Sequence, residues 1–260
     1  IDQPYFDPSV VPSFMLSKMI SSHYKVGISG DGGDELLGGY ERIIQSHSIN
    51  KRTNLAKSIY KMYPSFLGTG NKILKYSKNI NEAYWSFHED LKLMKLLKIN
   101  PDLSYRTEFM TPSTDINLKD LMISDYKFFL SQMMLFKVDR TSMANSLEVR
   151  SPFLDHRLIE YVLNTNMNFI NHDEPKKIMK DYLSKNFDNA FLNRKKQGFV
   201  FNVENWVYNN MSYLEKELKS SIVTSEYNKN ILSTLSLNKT RINGIRIWKL
   251  FVLSQFMKRL

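Results

Sequence analysis

The sequence predicts an α/β protein that is predominantly helical, and three observations carry that reading. A short apolar run, Val26, Gly27 and Ile28, is followed by a glycine-rich stretch and then by Glu35, Leu36 and Leu37, the order of a strand, a loop and a helix start. Six of the ten glycines fall between Gly27 and Gly39, so backbone freedom is concentrated in this one loop. Beyond residue 40 glycine and proline are sparse while Leu, Lys, Met and Ile abound, which favours helix. The expected organisation is therefore an end piece of an α/β core over residues 1–45, carrying the loop, and a helical remainder over residues 46–260.

Residues 1–23 open with Pro4, Pro8 and Pro12, an extended and turning segment that becomes helical from Ser13 to Ile20. Val26 to Ile28 reads as a buried strand. The loop behind it, SGDGGDE, differs from a Walker-type phosphate loop by its charge, because it carries Asp31, Asp34 and Glu35 where that loop has a lysine. Carboxylates repel phosphate, so a nucleotide facing this loop needs a divalent cation between them. Mg²⁺ suits that arrangement, being held by one or two carboxylates together with phosphate oxygens. Gly32 and Gly33 would leave no side chain between loop and ligand. A second reading stands beside this one: Asp31 as the cap of an ordinary helix, with Asp34 favouring its dipole. An EF-hand fails, since Leu36 stands where its glycine is due and Arg42 where its glutamate is due.

Residues 51–62 and 81–97 have helical periodicity, and Tyr84, Trp85 and Phe87 on the second read as core or hydrophobic surface. Residues 120–136 are rich in Phe, Leu and Met and read as a mostly buried helix. They lead into Lys137, Asp139, Arg140, Glu148, Arg150 and Asp155, set among apolar residues. Charges pressed against apolar neighbours must be paired or bound to ligand. A buried ion-pair network is expected for Glu148 and Arg150. Further on, Pro175 reads as the first residue of a helix, which puts Lys176, Lys177 and Lys180 in turns where the dipole disfavours cations. Such placement calls for an anionic partner, and phosphate is one candidate. Residues 246–260 are apolar nearly all round and read as a buried terminal helix, too short and too charged to span a bilayer.

The segment SGDGGDELLGGYER resembles the second signature loop of the glutamine-dependent asparagine synthetase family, which lines the ATP site of a PP-loop (ATP pyrophosphatase) domain. FKVDRTSMANSLEVRSPFLDHRLIEYV resembles a second block of that family, and Lys176 resembles the lysine opening its K-x-x-L-[RK] helix. Lys196 and Phe199 match an R-x-K-x-x-F block. The order of the blocks is kept over nearly the whole chain. Two departures stand out. Gln3 occupies a position that is usually Glu, and Val200, Phe201 and Asn202 replace a small residue and a proline.

The resemblance implies amidation of aspartate through β-aspartyl-AMP, with ATP and Mg²⁺ required. It assigns Asp34 to the metal, Ser29, Gly30 and Gly32 to the nucleotide, and Asp31 and Lys176 to catalysis. Asp139 and Arg140, with Lys196, would line the cleft. It implies glutamine-derived ammonia as nitrogen source and an N-terminal glutaminase domain in the parent chain. The family's first ATP loop, Ser-Gly-Gly-x-Asp-Ser, and the glutaminase cysteine are not among these residues, so the chain is expected to be a C-terminal piece of a longer enzyme and incomplete by itself.

Composition bounds the alternatives. With no cysteine the chain forms no disulfide and no thiolate centre, which fits the cytoplasm. The net charge of +10 invites a nucleic-acid reading, but Lys and Arg are spread through the chain and interleaved with Asp and Glu, so nucleic acid is not the expected partner. No apolar run reaches membrane-spanning length. The rivals are an amidotransferase for another carboxylate, such as a surface-sugar acid or natural-product precursor, a tRNA-modifying PP-loop enzyme, and a non-catalytic helical interaction module. The oligomeric state is left open, a homodimer included.

Overall fold

A computed structural model describes residues 3–40, 42–43, 52–110, 116–165, 176–194, 199, 201–219, 221 and 230–260. These residues are mostly helical and form two compact units, one from segments 12–50 and 104–199, the other from 1–11, 51–103 and 200–260. The segments of the two units interleave along the chain, because the contacts that define each unit join residues far apart in sequence. Local composition carries no trace of that.

The first helix, α1 (Val10–Ser21), starts earlier than Ser13. The Asp7 carboxylate accepts the backbone N–H (2.9 Å) and the hydroxyl (2.8 Å) of Ser9, and this local turn launches the helix. Strand β1 (Val26–Ile28) pairs in parallel with β2 (Glu148–Arg150), with Gly27 opposite Val149. The pairing continues at both ends, through Glu148 N–H to the Lys25 carbonyl and Ser29 N–H to the Arg150 carbonyl, each 2.9 Å. β1 is not the buried strand the sequence predicts. Ile28 is 81% exposed, since the described sheet has two three-residue strands and its outer faces are uncovered.

A single turn, α2 (Gly33–Leu36), follows the glycine loop. Its Leu36 and Leu37 pack with Val162 of α5 (His156–Asn164) and with Met179 of α6 (Lys177–Leu183), forming a small core beneath the loop. Between them runs a continuous helical rod. It comprises α3 (Leu118–Asp125), a π-helical segment (Tyr126–Leu135) and α4 (Phe136–Met143). Asn117 and Asp120 form a reciprocal capping box at its start, both bonds 3.0 Å. Residues 120–136 were expected to form a mostly buried helix. Only Leu130 is buried within its π segment, because a wider helix spreads its apolar residues beyond one packed stripe.

In the other unit, the terminal helix α7 (Arg241–Met257) packs Ile247, Trp248 and Leu250 against Val203 and Val207 of the helix Val203–Asn209. The expected helix over residues 81–97 is two helices, Ile80–Trp85 and Leu91–Leu96. Asp90 breaks it by capping the second one and by receiving the fully buried Arg246 guanidinium at 2.7 and 2.9 Å. Tyr84 and Trp85 are core residues. Among the described residues no helix is long and apolar enough to cross a membrane.

Candidate active site

The glycine loop is held open by its backbone. Gly32 has φ of +88°, a left-handed conformation that a side chain disfavours, and it caps α2 in place of Asp31. Asp31 instead accepts the Ser29 hydroxyl at 2.7 Å, while its carbonyl accepts the Ser151 hydroxyl at the end of β2. Residues 29–31 are thereby tied to both strands. The space a Cβ would take at Gly32 is filled by Leu154, and the Phe153 ring lies against Gly33. The side of these two glycines expected to be clear for a ligand is therefore packed by protein.

Asp34 and Lys176 meet here. The Lys176 Nζ lies 2.6 Å from Asp34 Oδ1, an oxygen with no solvent contact, although the side chains are 36% and 21% exposed. Lys176 is not inside the first turn of its helix. It precedes α6 as the N-cap residue with φ of +60°, a conformation unusual for lysine that swings its stem off the helix. The anionic partner that its position demanded is thus a carboxylate of the loop. Pro175 and Lys196 lie outside the described residues.

A buried polar layer lies behind the loop. Glu35 accepts the Tyr40 hydroxyl at 2.9 Å. Burial first, then the neighbouring carboxylates of Asp125 and Asp34, raise the Glu35 carboxyl above its ordinary value, against the pull of its hydrogen bonds. Arg42 reaches both oxygens of Asp125 at 2.8 and 3.1 Å. Its guanidinium carbon sits 3.8 Å from the Tyr40 ring centroid and 4.1 Å from that of Phe129 in the π segment. The layer thus fastens the loop to the rod.

Asp139 and Arg140 face solvent, 4.0 Å apart, with the arginine over the Phe136 ring. Both side chains are exposed, so neither charge is pressed out of solvent by its apolar neighbours. Glu148 and Arg150 form an exposed pair within β2, not a buried network, because alternate residues of one strand share a face. Asp155 caps α5 and pairs with exposed Arg157.

Among the described residues no three His, Cys, Asp or Glu side chains converge to hold a metal ion. A magnesium ion at Asp34 would take one carboxylate from the protein and the rest of its ligands from phosphate and water. That is the ordinary mode for this ion, so the donor set fits.

A model of the family described as asparagine synthase matches residues 1–251. The chain belongs to the asparagine synthase family. Asparagine synthetase [glutamine-hydrolyzing] 1 of Bacillus subtilis (strain 168) is 25% identical over 276 residues, covering 96% of this chain and 43% of that protein. A putative asparagine synthetase [glutamine-hydrolyzing] of Mycobacterium tuberculosis (strain ATCC 25618 / H37Rv) is 28% identical over 174 residues, covering 60% of this chain and 26% of its own length. The chain spans less than half the length of these relatives. The comparison with solved structures gave no match.

Sequence reasoning missed Gly39, Tyr40, Arg42 and Asp125. Asp125 offered a signal. It is a lone acid in the run LMISDYKFFL, where burial demands a partner.

Proposed function

We propose that the chain is the synthetase portion of a glutamine-hydrolysing asparagine synthetase, using ATP to amidate aspartate. The observation that carries this reading is the meeting of Asp34 and Lys176, distant in sequence, at 2.6 Å beside the glycine loop. A carboxylate and an ammonium set at one loop suit a reaction whose demands are charge neutralisation and positioning. A β-carboxylate oxygen of aspartate attacks the α-phosphorus of ATP, the bond to the β-phosphate bridging oxygen breaks, and pyrophosphate leaves. Ammonia then attacks the acyl carbon of β-aspartyl-AMP, loses a proton, and the C–O bond to AMP breaks.

In this reading Ser29, Gly30 and Gly32 contact the nucleotide, the last through its backbone, and Asp31 orients the reacting groups. Asp34 would hold Mg²⁺, which supplies charge compensation for the phosphates. Lys176 turns its ammonium from Asp34 toward the negative charge that builds at the α-phosphate. The ammonia is drawn from glutamine by a glutaminase domain of the parent chain, and the enzyme works in the cytoplasm.

The test uses the full-length parent protein. Asp34→Asn should abolish aspartate-dependent ATP–pyrophosphate exchange while leaving glutamine hydrolysis intact, and unchanged exchange refutes the reading. Lys176→Ala should lower kcat and kcat/KM together. A rise in KM alone makes it a binding residue. Exchange that runs with another carboxylic acid in place of aspartate keeps the chemistry and overturns the acceptor.

A further inference from the structure

We infer that Gly39 is a positioning residue for the Asp34–Lys176 pair, acting by having no side chain. The inference rests on the proposed function for its catalytic meaning and on geometry alone for its substance. A Cβ built on Gly39 would stand 2.0 Å from Asp34 Oδ1 and 2.3 Å from Lys176 Cε. Both distances are far inside van der Waals contact, and both atoms belong to the pair. The lysine stem and the carboxylate therefore meet directly over the Gly39 α-carbon. The backbone holds that carbon in place, since the Gly39 N–H donates to the Asp34 carbonyl at 2.7 Å. That bond joins the residue that supplies the carboxylate to the residue that makes room for it.

The rest of the loop sharpens the point. At Gly32 the neighbouring atoms belong to Leu154 and Phe153, so a side chain there would meet packing. At Gly27 and Gly30 a Cβ would meet nothing within 4 Å. Of these loop positions, the one at Gly39 bears on the ion pair. The atoms it would displace lie at the ends of movable side chains, so a methyl group should part the pair and leave the fold standing.

The experiment reads Lys176 itself and requires no substrate. Full-length protein is treated with limiting formaldehyde and cyanoborohydride, and methylation at Lys176 is quantified by peptide mass spectrometry. Asp34→Ala frees the ammonium and sets the upper reference. Gly39→Ala should raise the Lys176 labelling rate about two- to fivefold, the range set by a partly exposed ion pair, and reach the Asp34→Ala level. Gly27→Ala should leave the rate unchanged. In an Asp34→Ala background the glycine substitution should add nothing. Wild-type labelling in Gly39→Ala overturns the inference, as does an additive effect in the double variant.

If Gly39→Ala lowers the melting temperature, combining it with Asp34→Ala and Lys176→Ala must restore the temperature of that double variant. Failure to do so makes Gly39 a packing residue and overturns the inference. Labelling that rises while ATP–pyrophosphate exchange persists keeps Gly39 in its role and removes the catalytic reading. Exchange that dies in Asp34→Asn with labelling unmoved in Gly39→Ala does the reverse.

Discussion

Replacing Arg42 by alanine removes from the buried Asp125 carboxylate a guanidinium whose Nη2 donates to both of its oxygens. The two side chains are 17% and 1% exposed, and both carboxylate oxygens face the guanidinium. Removing one member of a buried pair costs about 3–5 kcal/mol, because the other charge remains desolvated. Loss of the stacking on Tyr40 and Phe129 adds about 0.5–1 kcal/mol at each ring. At about 2–4 °C per kcal/mol for a domain of this size, the melting temperature should fall by roughly 10 °C or more. The assay should follow far-UV circular dichroism, since Trp85, Trp206 and Trp248 all lie in the other unit and their emission reports on that unit. Arg42→Lys keeps the charge without the planar guanidinium that lies over Tyr40 and Phe129, and should recover only part of the loss. A cost below about 1 kcal/mol, the size of an exposed pair, would refute the reasoning. So would the absence of coupling between Arg42→Ala and Asp125→Ala.

Glu35→Gln should change how stability depends on pH. The folded carboxyl holds its proton above the ordinary 4.5, so the native state binds more protons than the unfolded chain as pH rises past that value, and wild-type stability falls through this window. The glutamine does not titrate, so urea midpoints from pH 4 to 8 should favour the variant increasingly toward neutrality, by at most about 1.4 kcal/mol per pH unit. A difference that is flat, or that runs the other way, contradicts the assignment. Arg246→Ala should cost about 3–5 kcal/mol, because it leaves Asp90 without its buried partner. Here the loss should appear in the tryptophan-emission melt, and an unchanged melt would count against the role given to Asp90.

The sequence made the loop legible because glycine, aspartate and position after an apolar run are all local properties. It nominated Asp34 and Lys176 separately, one from its loop and the other from a cation near a helix start. Their pairing depends on the small core of Leu36, Leu37, Val162 and Met179 that brings α6 under the loop, and no local pattern encodes that. Burial was misread where it depends on what else is present. Val26 and Ile28 have the composition of a core strand, yet a core strand needs layers on both sides. Asp139, Arg140, Glu148 and Arg150 were read from the apolar residues beside them in sequence, whereas the direction of each side chain decides its exposure. The π segment was invisible for a related reason. A run such as YKFFLSQMML has apolar residues dense enough to suit several helical periods.

That segment also fixes the phase of everything after it. Each residue of an ordinary α-helix turns the chain by about 100°, so the rod behaves like a shaft whose far end is keyed to its near end. At one end Asp125 must point to Arg42, and at the other the chain must leave α4 through the left-handed Ser146 to enter β2 in register with β1. Deleting one residue between Tyr126 and Leu135 could relax the wider coil to an ordinary one, but it would swing α4 and β2 out of alignment with the loop. Substitutions along this stretch are therefore a matter of side-chain size, whereas changes in its length alter timing between two ends of one part. Lineages sharing this rod should accept many sequences there and a single length.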